Sequence, residues 1–186
     1  MATNIIEAIQ SNLGYSDLQK VDPNVQDTKA FDQNTGQKLA QASIPAVLTG
    51  MYKYSRTEAN CKALLGDTSG KNWLDEIYQG NTSGVAQRVA NYARVSVDQA
   101  QSHMENIATE AVQVIRQAVE PNPTCEKVQA YMKSQRHNIL VYLPANLNMG
   151  DMLHDEGLDD RTNKMEGPVS NFVHKIENTF SGGGSK

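Results

Sequence analysis

Residues 97–119 read VDQAQSHMENIATEAVQVIRQAV, and this stretch decides the fold. Val97, Ala100, Met104, Ile107, Ala111, Val114 and Ala118 recur at alternating steps of three and four, the spacing that stacks side chains on one face of an α-helix. Neither Gly nor Pro interrupts the run, so the pattern predicts one helix of about 23 residues, or roughly 35 Å at the helical rise. Ala108, Val112, Ile115 and Val119 widen the seam beyond what a two-stranded coiled coil buries, which places the helix in the middle of a bundle. Ser96 followed by Gln99 has the form of a capping box at its start, and Pro121-Asn122-Pro123 closes its end.

Working outward, the same signals recur. Upstream, Val85, Val89 and Tyr92 line a helix that stops near Val95. Leu39, Ala42, Ala46, Val47, Met51 and Tyr54 mark a helical face between Gln37 and Tyr54, in which Pro45 is expected to end one helix or start the next. Ser55-Arg56-Thr57-Glu58 reads as a capping box feeding Ala59 to Leu65, with Gly66 as its stop. A short amphipathic piece with Trp73, Leu74, Ile77 and Tyr78 follows the Asp67-Thr68-Ser69-Gly70 turn. At the N-terminus, Asn4 and Glu7 cap a short helix that Gly14 ends. Residues 17–36 are polar and turn-rich and read as a loop-rich arm.

Downstream, Thr124 caps a helix from Cys125 to Gln135 with Val128, Tyr131 and Met132 inward. Ile139 to Leu143 has the composition of a strand. No second run of that character exists to pair with it, and a lone strand would leave its amides and carbonyls unsatisfied, so it is expected as buried helix broken at Pro144. Ile44-Pro45-Ala46-Val47-Leu48 is echoed by Leu143-Pro144-Ala145-Asn146-Leu147, which a duplicated helix pair would leave, but three identities in five positions read as coincidence. Val169, Phe172, Val173, Ile176 and Phe180 line one face of a last helix beginning near Pro168, and residues 181–186 form a Gly-rich flexible tail.

With 186 residues, the chain has the size of one domain, taken as 1–180, and the expected class is all-α: a compact multi-helix bundle of six to eight helices around the long one. Charged residues make up 20% and apolar ones 39%, and the formal charge is −4 without a basic cluster, which speaks against phosphate as the partner. The longest apolar run, Ile139 to Pro144, is far short of the roughly 20 residues a membrane-spanning helix needs. Nothing at the N-terminus marks export, so the expected location is cytoplasmic. Cys61 and Cys125 stand alone in their segments and read as small buried apolar side chains, although a disulfide between them is geometrically conceivable.

Residues 85–100, VAQRVANYARVSVDQA, together with the long helix to Val119 and Pro121, resemble the helix, short turn and helix unit of YidB-like bacterial proteins and of related uncharacterised all-α bacterial families. The likeness covers about a fifth of the chain, residues 85–121. It implies an all-α helix-pair core and a bacterial origin, and it transfers no activity and no catalytic residue.

Three constellations could carry chemistry. Asp151, Asp155 and Asp159 are four apart, so a helix would align three carboxylates on one face, where a divalent cation would relieve their repulsion with hard oxygen ligands. Arg161 and Lys164 can neutralise the same cluster without metal. Gly66-Asp67-Thr68-Ser69-Gly70-Lys71 has the Gly and Lys of a phosphate loop, but too few residues separate the glycines and no Ser or Thr follows Lys71, which leaves a surface turn. The pair of helices over 85–119 has the outline of a helix-turn-helix, but the face that would read bases carries Asp98, Gln99, Gln101, Ser102 and Glu105, and acidic groups oppose phosphate approach. His103, His137, His154 and His174 lie in four different segments, and no nucleophile elbow or zinc spacing is present.

The expectation is therefore a non-catalytic structural or interaction protein that takes a protein partner or a second copy of itself, without cofactor, nucleic acid or membrane span. The face formed by Val169, Phe172, Val173, Ile176 and Phe180 is its expected interface, with packing of that face onto the chain's own core as the other reading. A divalent-metal protein or metal-dependent enzyme using Asp151, Asp155 and Asp159 is the alternative, and a helix-turn-helix DNA binder the third.

Overall fold

The long helix forms as its period demands. In the computed structural model, which describes residues 3–21 and 34–155, Val97–Ala118 is one unbroken helix, and Ser96 accepts a hydrogen bond from the Gln99 amide at 3.2 Å at its start. Ala100, Met104, Ile107, Ala108, Ala111, Val112, Val114 and Ile115 are buried. The two ends of the seam are not: Val97 is half-buried and Ala118 exposed.

Eight α-helices occur among the described residues: α1 (Ile5–Leu13), α2 (Thr35–Tyr54), α3 (Glu58–Leu65), α4 (Trp73–Tyr78), α5 (Thr82–Ala93), α6 (Val97–Ala118), α7 (Cys125–Leu140) and α8 (Met149–Leu153). A 3-10 turn, Ala145–Leu147, precedes α8, and there is no strand among the described residues. The class is an all-α multi-helix bundle. No helix among the described residues is long and apolar enough to cross a membrane.

Although α6 is the longest helix, α2 is the one enclosed on every side. Each residue from Leu39 to Met51 is buried, and α2 packs on α4, α5, α6, α7 and α8. Ala40, Ala42, Ser43, Ala46 and Gly50 keep its surface low enough for helices to approach from several directions. Gly50 shows how close: a Cβ there would stand 2.6 Å from Ile77 Cγ2 and 2.9 Å from Tyr78 Cζ on α4. Tyr78 holds that position by donating to the Ala46 carbonyl at 2.8 Å.

Several local expectations are corrected. Pro45 neither ends nor starts a helix; α2 runs straight through it. An interior Pro costs about 3 kcal/mol, and the packing of α2 on both sides of Pro45 offsets that cost, with Thr49 donating to the Pro45 carbonyl at 2.6 Å. The capping box at the start of α3 is displaced. Its cap is Thr57, whereas Ser55 is buried at the end of α2 and donates back to the Tyr52 carbonyl. Helix α7 extends past Gln135 and takes in Ile139 and Leu140, so the apolar run is split between helix and turn. The two Pro-Ala echoes occupy unlike places, one inside α2 and one before the 3-10 turn, which removes the case for a duplicated pair.

The described part of the 17–36 arm is tied down by α2. Buried Gln41 accepts from the Gln19 amide at 2.8 Å and donates to the carbonyls of Gln19 and Tyr142, while the Val21 amide donates to the Val141 carbonyl. Residue Asn34 caps α2 through a reciprocal box with Gln37, so the helix begins earlier than its apolar period shows.

Candidate functional site

The turn that imitates a phosphate loop becomes one wall of a groove. Asp67 accepts from the Ser69 amide at 2.9 Å, and the hydrogen bonds from Ser69 hold its carboxyl below the usual range. That closes the turn on itself and sets Gly70, Lys71 and Asn72 ahead of α4, where Asn72 caps the helix through the Leu74 and Asp75 amides. The Lys71 ammonium lies 5.2 Å from the centre of the Trp73 ring. Opposite stand Glu105, Asn106 and Thr109 on the outer face of α6. Together these residues line a cavity of about 400 Å³, within the range of small-ligand pockets. Three of the polar groups that line it are already engaged within the protein: Asn72 caps α4, the Thr109 hydroxyl donates to the Glu105 carbonyl at 3.0 Å, and the Glu105 carboxylate accepts from Gln101 at 3.1 Å.

The acidic cluster is differently arranged from its sequence reading. Helix α8 ends at Leu153, where His154 takes a left-handed conformation with φ 50°, so Asp151 and Asp155 do not continue one helical face. Asp151 pairs with Arg88 at 3.2 Å, and Arg88 also donates to the carbonyls of Leu147 and Asn148 at 2.9 and 3.2 Å. Asp155 pairs with Arg56 at 2.6 Å, and that guanidinium lies 4.6 Å from the Tyr52 ring centre. The Lys53 ammonium donates to the Leu153 carbonyl. Asp159 lies outside the described residues, as do Arg161, Lys164, His174 and the face of Val169, Phe172, Val173, Ile176 and Phe180. Among the described residues no three His, Cys, Asp or Glu side chains gather closely enough to hold a metal ion.

His103, on α6, packs against Tyr15 with ring centres 5.1 Å apart, and its Nδ1 is buried without a hydrogen-bond partner. Burial lowers its pKa below the ordinary 6.5. Burial and the neighbouring Glu76 push Tyr54, whose hydroxyl donates to that carboxylate at 3.3 Å, up to about 12.

No family model, curated protein or solved structure matches the chain. Sequence reasoning dismissed Lys71 with the failed phosphate loop and treated Glu105 as part of an acidic helix face. Nothing in the spacing of residues 70–73 and 105–109 shows that they meet, because their approach depends on how α4 is set against α6.

Proposed function

We propose that the protein is a non-catalytic structural or interaction protein, a helical scaffold whose partner is a second copy of itself. The observation that carries this reading is the engagement of four cationic side chains. Lys53, Arg56, Arg88 and Arg116 each bind a carbonyl or carboxylate on another element: Leu153, Asp155, the Leu147–Asp151 segment, and the carbonyls of Leu64 and Gly66. Groups that an active site would aim at substrate here hold helix ends in place, and a scaffold needs that rigidity. The polar groove between Lys71 and Thr109 offers such a scaffold a recognition surface, and the apolar period that the sequence carries at Val169, Phe172, Val173, Ile176 and Phe180 is the part of the chain on which association would draw.

Native mass spectrometry of the full chain across a range of concentrations tests the reading. A stable oligomer that reverts to monomer on removal of residues 168–186 is the expected result. A chain that stays monomeric at every concentration overturns it.

A further inference from the structure

The two cysteines that look unrelated in sequence meet in the fold. Cys61 lies one turn into α3, Cys125 is the first residue of α7, and the two helices pack together. The Cys61 Sγ lies 3.5 Å from the Cys125 carbonyl oxygen, and the Cys125 Sγ lies 3.9 Å from the Glu58 carbonyl oxygen. Each sulfur therefore reaches the backbone of the other's helix, which sets the two side chains beside one another where α3 meets α7. Both thiols are free. They differ in access: Cys61 is 0% exposed, whereas Cys125 is half-buried.

We propose that Cys61 and Cys125 are a thiol–disulfide exchange site, oxidised by a small-molecule disulfide that enters at Cys125, to a reversible disulfide that ties α3 to α7. The Cys125 thiol releases its proton to solvent, and its sulfur attacks one sulfur of R–S–S–R. That bond breaks as Cys125–S–S–R forms and R–S⁻ leaves. Cys61 then loses its proton and attacks the Cys125 sulfur, which forms the Cys61–Cys125 bond and expels the second R–S⁻. The two protons end on two R–SH, and the two electrons lost by the protein reduce the small disulfide.

Access sets the order of the two exchanges. Burial first, then the hydrogen bond and charge of Cys125 and the carboxylates of Glu126 and Glu58, push the Cys61 thiol up to about 12. Cys61, fully buried, meets no oxidant from solvent and reacts only with the sulfur of Cys125 beside it, once Cys125 carries the mixed disulfide. The resulting cross-link joins positions 64 apart and encloses α4, α5 and α6, which restricts the unfolded chain.

The experiment treats the folded full chain with oxidised glutathione, followed by intact-mass measurement and non-reducing peptide mapping. The expected product is a single chain lighter by two hydrogens, with the peptides of Cys61 and Cys125 cross-linked and no glutathione retained. Dithiothreitol reverses it, and the oxidised form melts about 5–10 °C higher. Cys61→Ser retains one glutathione on Cys125, whereas Cys125→Ser is not modified. Should Cys61→Ser fail to fold, Cys61→Ala makes the same test without a buried hydroxyl. A wild-type chain that keeps glutathione on Cys125, that cross-links to a second copy, or that is unchanged by the oxidant overturns the proposal.

Discussion

Helices α2 and α6 are of similar length and lie against each other, yet they are held by different means. In α6 one face is apolar and buried and the other carries Asp98, Gln99, Ser102, Asn106, Thr109 and Gln113 in water. In α2 no face is left to water between Leu39 and Met51, and Gln41, Ser43 and Thr49 are buried among the apolar residues. An amphipathic helix is stabilised by what it hides on one side. A sheathed helix must also accommodate the polar groups it carries, as it does by hydrogen bonds at Gln41 and Thr49 but not at Ser43, whose hydroxyl is buried without a partner, and it must fit neighbours on all sides, so its tolerances are steric and polar as well as hydrophobic.

Substitutions that empty, crowd or unpair the two helices would sharpen that contrast. The largest loss is expected from Ile107→Ala on the buried face of α6, where a fully buried side chain leaves a cavity and about 2–5 kcal/mol of stability disappears in denaturant titration. Gly50→Ala on α2 tests crowding: the added methyl meets Ile77 and Tyr78, and a cost of about 1–3 kcal/mol is expected, against the gain in helix propensity that the same change gives at an open site. Gln41→Leu keeps the volume and removes three hydrogen bonds, so a loss of about 1–2 kcal/mol should come with faster amide exchange at Gln19 and Val21, since those amides are tied to α2 and α7. An unchanged exchange rate there would show that Gln41 does not anchor the arm.

A smaller, pH-dependent effect belongs to α6. Because burial lowers the His103 pKa, the unfolded chain takes up a proton before the folded one does. Its contribution is complete above the ordinary value of 6.5 and is lost as pH falls through the folded value, so the melting temperature should drop on mild acidification, and His103→Gln should remove that part of the slope. At the bottom of the scale, Gln113→Ala on the solvent face should change stability by no more than about 0.5 kcal/mol, as measured by thermal melts.

The same contrast explains what could be read beforehand. The extent of α6 and its apolar stripe were legible, since a helix with one wet face writes a period of three and four into its residues. The start of α7 at Thr124 and the left-handed stop at Gly14 were legible too, because their signals are local: a cap side chain, and a φ of 71° that suits glycine. The continuity of α2 through Pro45 was not, because the propensity of Pro argues for a break and only packing on both sides of it overrides that. The arrangement of the acidic run was not legible for a related reason. Spacing by four aligns carboxylates only where a helix persists, and α8 stops at Leu153 once Arg88, Arg56 and Lys53 gather its end.

By itself, the order of residues determined that this chain is helical, roughly where its helices begin and end, and which face of α6 seeks the interior, because those outcomes depend on side chains within a few positions of one another. Only the tertiary structure decided that α2 is the enclosed helix, that Lys71 and Thr109 share a groove, and that Cys61 and Cys125 are neighbours. Each of those juxtapositions joins residues far apart along the chain, and the angle at which one helix crosses another leaves no periodic mark in either.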